Sequence, residues 1–232
     1  MHLELHPEMT IQRVELGTEG APLLIVDRFV ADPERLHRKA ARSRFAPIGE
    51  MFPGIRARAP ANYQKLLEDF LLPRVQECFG IAPGPLSFPT CHFSLITRPP
   101  DALAFLQRIP HIDSVAANGL ATVHYLFHGD WGGTAFYRHR KTSFEYIDES
   151  RLDEYSRTLR KEEAGEDAPK SGYIDGDTAQ FEQIARVDGV FNRLLVYRRN
   201  SLHSGSIDSA RVPPADPRAG RLSINTFVDV HG

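Results

Sequence analysis

His111 and Asp113 form an H-x-D tripeptide, and His203 follows far downstream in Ser201-Leu202-His203-Ser204-Gly205. If these three side chains meet, the chain must be a fold in which distant strands end at one point. On an extended segment residues i and i+2 project to the same side, so His111 and Asp113 can reach one ion from the mouth of a strand while another strand delivers the third ligand. Two imidazoles and one carboxylate on one face of an ion, with the opposite positions open, form a set suited to non-haem Fe(II).

By itself H-x-D is a weak signal in a chain with 10 histidines, and a second copy occurs at His128-Gly129-Asp130. That copy continues into Trp131-Gly132-Gly133 between two apolar runs, so it reads as the turn of a β-hairpin. His111 instead follows Pro110 after a loop and opens toward the apolar strand Leu120–Phe127, where a strand-end ligand belongs.

Beyond His203 a Pro-rich loop, Arg211 to Pro217, precedes Arg221-Leu222-Ser223-Ile224-Asn225-Thr226-Phe227-Val228, which alternates with period two. One face carries Arg221, Ser223 and Asn225, the other Leu222, Ile224 and Thr226. An arginine leading a polar face normally points to solvent. After an H-x-D…H pattern it also suits a buried clamp, because a guanidinium stays charged and grips a carboxylate in bidentate geometry.

With Arg221-x-Ser223 after H-x-D…H, and His124-Tyr125-Leu126 leading into Asp130-Trp131-Gly132-Gly133-Thr134-Ala135-Phe136-Tyr137, the chain resembles the Fe(II)/2-oxoglutarate-dependent oxygenases, their prolyl-hydroxylase-like branch in particular. It also resembles a bacterial family of unassigned function, DUF6445. The resemblance runs from about His92 to the C-terminus, with an insertion. It implies a mainly β fold with bracing helices, the double-stranded β-helix or distorted jelly roll. It makes His111, Asp113 and His203 the iron ligands and the catalytic centre. Arg221 would bind the far carboxylate of 2-oxoglutarate, with Tyr125 and Ser223 adding hydroxyl hydrogen bonds; for Tyr125 a core aromatic is an equal reading. The implied activity is that of a dioxygenase using dioxygen and 2-oxoglutarate to hydroxylate a C–H bond of an unidentified substrate, releasing succinate and CO2, with desaturation or demethylation open. The branch often places a co-substrate tyrosine before its H-x-D, and none stands here.

The remaining sequence reads as one domain over residues 1–232, with N-terminal helices over about 32–80 and an insertion over about 147–181. Asp32 followed by Pro33 is a helix start, running to about Ser43. A second helix is expected from Asn62 through Phe79, interrupted at Pro73 and stopped by Gly80. The charged segment Ile147 to Lys170 is a candidate mobile lid, since long departures between jelly-roll strands often carry specificity. Arg138, His139, Arg140 and Lys141 with Arg198 and Arg199 suggest a basic rim that would favour an anionic substrate.

Lys and Arg number 28 against 30 Asp and Glu, a net charge of -2, which argues against nucleic acid as the main partner. Two cysteines without C-x-x-C spacing, no apolar leader and no span for a membrane make the cytoplasm the expected location. Two other classes fit the same strands: a cupin-like metal-binding jelly roll, in which Arg221 has no duty, and a catalytically silent binding module.

Overall fold

The computed structural model describes residues 2–49, 51–165 and 168–232. Among these residues ten strands form two antiparallel sheets. In chain order the elements are β1 (Thr10–Leu16), β2 (Ala21–Asp27), α1 (Pro33–Ala40), β3 (Gly54–Arg58), α2 (Ala61–Leu71), α3 (Val75–Phe79), β4 (Leu86–Ile96), β5 (Gly119–Tyr125), β6 (Gly133–His139), α4 (Glu149–Glu163), β7 (Phe181–Asp188), β8 (Leu194–Arg198), β9 (His203–Ser206) and β10 (Leu222–Val230). The larger sheet has seven strands in the order β1-β2-β8-β5-β10-β4-β3, and the smaller has three in the order β7-β6-β9.

Period-two alternation assigns the two faces of the larger sheet. One cross-strand row is Phe93, Ile224, His124, Leu194 and Val26. This face packs on Leu36 of α1, on Tyr63, Leu67 and Phe70 of α2, and on Val75 of α3. Each large apolar side chain buried there contributes on the order of 1.5–3 kcal/mol. The opposite face carries Tyr125, Ala121, Val123 and Tyr197, which meet Phe136 and Val187 of the smaller sheet.

The helices begin and end where local chemistry directs. Asp32 caps α1 by accepting from the Arg35 backbone N–H, with Pro33 in the first turn. The expected second helix is two, α2 and α3, separated around Pro73, and Gly80 closes α3 in the left-handed region at φ 62°.

The connection from β5 to β6 overturns the hairpin reading. β5 pairs with β8 and β10, whereas β6 pairs with β7 and β9, so the loop crosses from one sheet to the other. Gly132 is required in it: φ is 76°, and a Cβ would fall 1.8 Å from the Ser206 carbonyl oxygen.

The lid reading is likewise corrected. α4 starts at an Asp148 cap and lies on the outer face of the smaller sheet, where Ile147, Tyr155 and Leu159 pack with Ala135, Tyr137 and Phe181. His139 Nε2 meets Glu162 Oε2 at 2.9 Å, and Lys141 Nζ reaches the other Glu162 oxygen at 3.2 Å, fastening helix to strand. Glu166 and Asp167 of the expected lid lie outside the described residues.

Candidate metal centre

His111 and His203 face each other across an antiparallel bridge, each donating its N–H to the other's carbonyl at 2.9 and 3.0 Å. Directly opposed residues point to one side, and the two rings lie 4.4 Å apart between centroids. The chain then holds Asp113 in place through its N–H, which donates to the Arg199 carbonyl at 2.8 Å. Asp113 Oδ1 is 3.9 Å from His111 Nε2, and Oδ2 is 3.6 Å from His203 Nε2. One ligand atom from each of the three residues fits within 4.8 Å of the others. The sequence brought these three residues forward, and the fold brings them together.

His203 is already set in the tautomer a metal needs. Its Nδ1 lies 2.9 Å from the Ser201 carbonyl oxygen, which can only accept, so Nδ1 carries the proton and Nε2 offers its lone pair. Burial pushes the His203 pKa down to about 4, which keeps the ring neutral. His111 is lowered to about 4 as well, by burial and then by His203, although 43% of its side chain is open to the cavity, so the burial effect is weaker there. Burial raises the Asp113 pKa, while His111, Arg199 and Arg56 draw it down.

A cavity of about 400 Å³ opens from this triad between the two sheets. At its wall stands Arg221, 5% exposed. Its Nε donates to the Trp131 carbonyl at 3.0 Å and its Nη2 to the Gly133 carbonyl at 2.6 Å, and among the described residues no carboxylate pairs with it. Burial lowers the Arg221 pKa, yet a guanidinium remains protonated. A buried cation facing a cavity without a counterion is an anion site in waiting.

Tyr125 and Ser223 stand behind the cavity wall. The Tyr125 ring lies under Arg221 at 5.7 Å, and its hydroxyl pairs with Thr134 Oγ1 at 2.6 Å. Ser223 Oγ donates to Asn225 Oδ1 at 2.6 Å. Thr134 and Asn225 are the residues that reach the cavity, so each expected hydroxyl is one residue removed from it. Tyr197 and Tyr173 also line it and were not anticipated. Tyr197 sits on β8, 4.7 Å from the His203 ring, and Tyr173 follows α4 in the chain with its hydroxyl donated to the Arg98 carbonyl at 2.7 Å. They place tyrosines beside the triad although none precedes the H-x-D tripeptide. The apolar run of β8 marked a buried strand for Tyr197 without assigning its face; Tyr173 had no signal.

His128 takes no part. It is exposed, stacks on Phe191 at 4.0 Å and lies 3.4 Å from Glu34. The basic rim also dissolves into ion pairs. Arg138 pairs with Glu145 and Glu182, His139 and Lys141 with Glu162, Arg140 with Asp177, and Arg199 with Asp229. Arg198 donates to the carbonyls of Ala117 and Phe79. None of these six lines the cavity.

A model of a family of unknown function, DUF6445, matches residues 7–228. The chain belongs to the DUF6445 family. A comparison of this DUF6445 protein with curated proteins returns no match. Among solved structures it is similar to HygX from Streptomyces hygroscopicus with nickel and 2-oxoglutarate bound, at 13% identity and a TM-score of 0.52, over 90% of this chain and 82% of that one. It is also similar to an N-substituted L-amino acid dioxygenase from Burkholderia ambifaria AMMD, at 9% identity and a TM-score of 0.45, over 97% of this chain and 96% of the other. The likeness to HygX shows the fold, an antiparallel jelly roll. Among the described residues no helix is long and apolar enough to cross a membrane.

Proposed function

We propose that this DUF6445 protein is an Fe(II)- and 2-oxoglutarate-dependent dioxygenase that hydroxylates a C–H bond of a small substrate. One observation carries the reading: the triad of His111, Asp113 and His203 lines the same cavity as Arg221, with which no carboxylate pairs among the described residues. The donor set fits the metal, since two imidazoles held neutral and one carboxylate suit divalent iron and leave positions free on the cavity side. Fe(II) with 2-oxoglutarate and dioxygen supplies the oxidising power, coupling decarboxylation of the co-substrate to succinate with oxygenation of the substrate.

The chain's own residues do the binding and orienting. Arg221 holds the far carboxylate of 2-oxoglutarate, its guanidinium fixed in direction by the Trp131 and Gly133 carbonyls. Thr134, steadied by Tyr125, is placed to offer that carboxylate a hydroxyl, and Asn225, steadied by Ser223, an amide N–H. Ser201 keeps the His203 ring from turning. Val123, Ala121 and Phe227 give the cavity an apolar floor that limits water.

Anaerobic titration with Fe(II) and 2-oxoglutarate tests this by the weak visible charge-transfer band of the complex. His111→Ala and His203→Ala should each remove the band, with circular dichroism confirming the fold, and His128→Ala should keep it. A full band in both triad variants would falsify the assignment. Metal binding without 2-oxoglutarate binding would favour the cupin-like reading instead.

A further inference from the structure

We propose that Arg56 is the substrate-recognition residue of this site and that the substrate carries a carboxylate on an apolar body; the inference rests on the dioxygenase reading. Arg56 lies on β3, the edge strand of the larger sheet, opposite Ser94. The same cross-strand row continues through Ser223 to Tyr125, so Arg56 belongs to the face that looks toward the smaller sheet. It lines the cavity together with His111 and Asp113.

Among the described residues the Arg56 guanidinium has no carboxylate partner and no hydrogen bond, and its Nε is buried without an acceptor. It rests on the Phe52 ring, 4.0 Å from its centroid. Other cations are committed elsewhere or stand off the cavity: Arg98 donates to Gln107 Oε1 at 3.0 Å, Arg199 pairs with Asp229, and Arg58 on the same strand does not line the cavity. A half-buried guanidinium that is partly desolvated and unpaired costs stability unless an external anion completes it. 2-Oxoglutarate does not need it, having one carboxylate for Arg221 and one for the metal. Arg56 is therefore the cation left for a second ligand.

Charge and surroundings narrow the class of that ligand. A monoanionic carboxylate balances the single charge of Arg56 in bidentate geometry, whereas a phosphate monoester carries about 1.5 to 2 charges, more than one guanidinium offsets. Around Arg56 the cavity mouth is apolar: Phe52, Ile112, and the side chains Met51 and Leu106, which are 54% and 46% exposed. Large exposed apolar groups around a cleft mark a binding surface. An anchored carboxylate with an apolar body along them leaves a C–H bond for the metal side.

Octanoate, octanamide and octyl phosphate serve as probes by calorimetry on the Ni(II)-loaded protein, with and without saturating 2-oxoglutarate, which occupies Arg221. Wild type should bind octanoate at least about tenfold tighter than octanamide, the loss expected when one charge-assisted pair is absent, and no more weakly than octyl phosphate. Arg56→Gln should abolish the preference and Arg56→Lys should keep part of it, with 2-oxoglutarate and Ni(II) affinities unchanged in both. Equal binding of acid and amide by wild type, binding of neither, or a preference that survives Arg56→Gln would overturn the proposal. Tighter octyl phosphate overturns the carboxylate assignment, and a loss of Ni(II) affinity in Arg56→Gln overturns it in favour of a role in holding Asp113. The wild-type comparison needs no variant to fold. If 2-oxoglutarate does not bind but the Arg56-dependent preference persists, the dioxygenase reading falls and the carboxylate site stands.

Discussion

Replacing Arg221 with alanine should separate co-substrate binding from metal binding. The side chain is 5% exposed and has no carboxylate partner among the described residues, so a bound carboxylate would be its only counterion. Without the guanidinium, the ligand's carboxylate must be buried unpaired in the same wall. Breaking one partner of a buried charge pair costs about 3–5 kcal/mol, and we expect the lower end because Thr134 and Asn225 remain as donors. About 3 kcal/mol corresponds to roughly a 150-fold loss of 2-oxoglutarate affinity. The protein without ligand should respond much less. Loss of donors to the Trp131 and Gly133 carbonyls costs about 1–3 kcal/mol for each carbonyl left dry, and relief from burying an unpaired cation offsets much of it. Calorimetric titration of 2-oxoglutarate into the Ni(II)-loaded variant, beside a Ni(II) titration and a thermal melt, reads all three quantities. Affinity for 2-oxoglutarate within about twofold of wild type would refute the reasoning and remove the co-substrate from the proposed function.

Three further outcomes follow from the packing. His124 is fully buried between Tyr63 and Phe29, its Nε2 on Asn192 Oδ1, and burial lowers its pKa to about 4. The unfolded chain then takes up a proton near pH 6.5 that the folded chain refuses until about pH 4, so this residue makes stability fall as pH drops through that window. Its share should be about 2 kcal/mol between pH 7 and pH 5, and His124→Phe should flatten the urea-denaturation profile by that amount. In α4, Leu159 is 9% exposed against the outer face of the smaller sheet. Leu159→Ala should cost about 2–3 kcal/mol by chemical denaturation, and deleting residues 153–169 should unfold or severely destabilise the protein. A deletion variant with wild-type stability would return α4 to the role of a detachable lid. Tyr125→Phe should weaken 2-oxoglutarate binding only modestly, by about tenfold or less, because it frees the Thr134 hydroxyl to turn rather than removing a ligand contact. A loss as large as that of Arg221→Ala would show the tyrosine touching the co-substrate itself.

What could be read from the sequence was what depends on neighbours along the chain. The period-two run from Arg221 to Val228 declared which residues share a face, and β10 keeps that alternation. Asp32 acts as a cap and Gly80 as a stop because each satisfies or releases the backbone of its own helix. The donor types in His111, Asp113 and His203 stated what chemistry was available. What depended on partners distant in sequence was decided by the tertiary structure alone. His128-Gly129-Asp130 and His111-Ile112-Asp113 carry the same donors; local context favoured the second, but only the bridge to His203 brings its donors to a third ligand. The loop after β5 has hairpin chemistry, yet strand pairing sends it to the other sheet. The basic run at Arg138 looked free because most of its acids, Glu162, Glu182 and Asp177, arrive from other turns of the fold. Arg56 had no signal in the sequence; the fold sets it on the cavity with no acid paired to it among the described residues. Backbone periodicity sets the direction of a side chain relative to its own strand; whether a charge there is paired, buried or left facing a cavity is set by register between segments far apart in the chain.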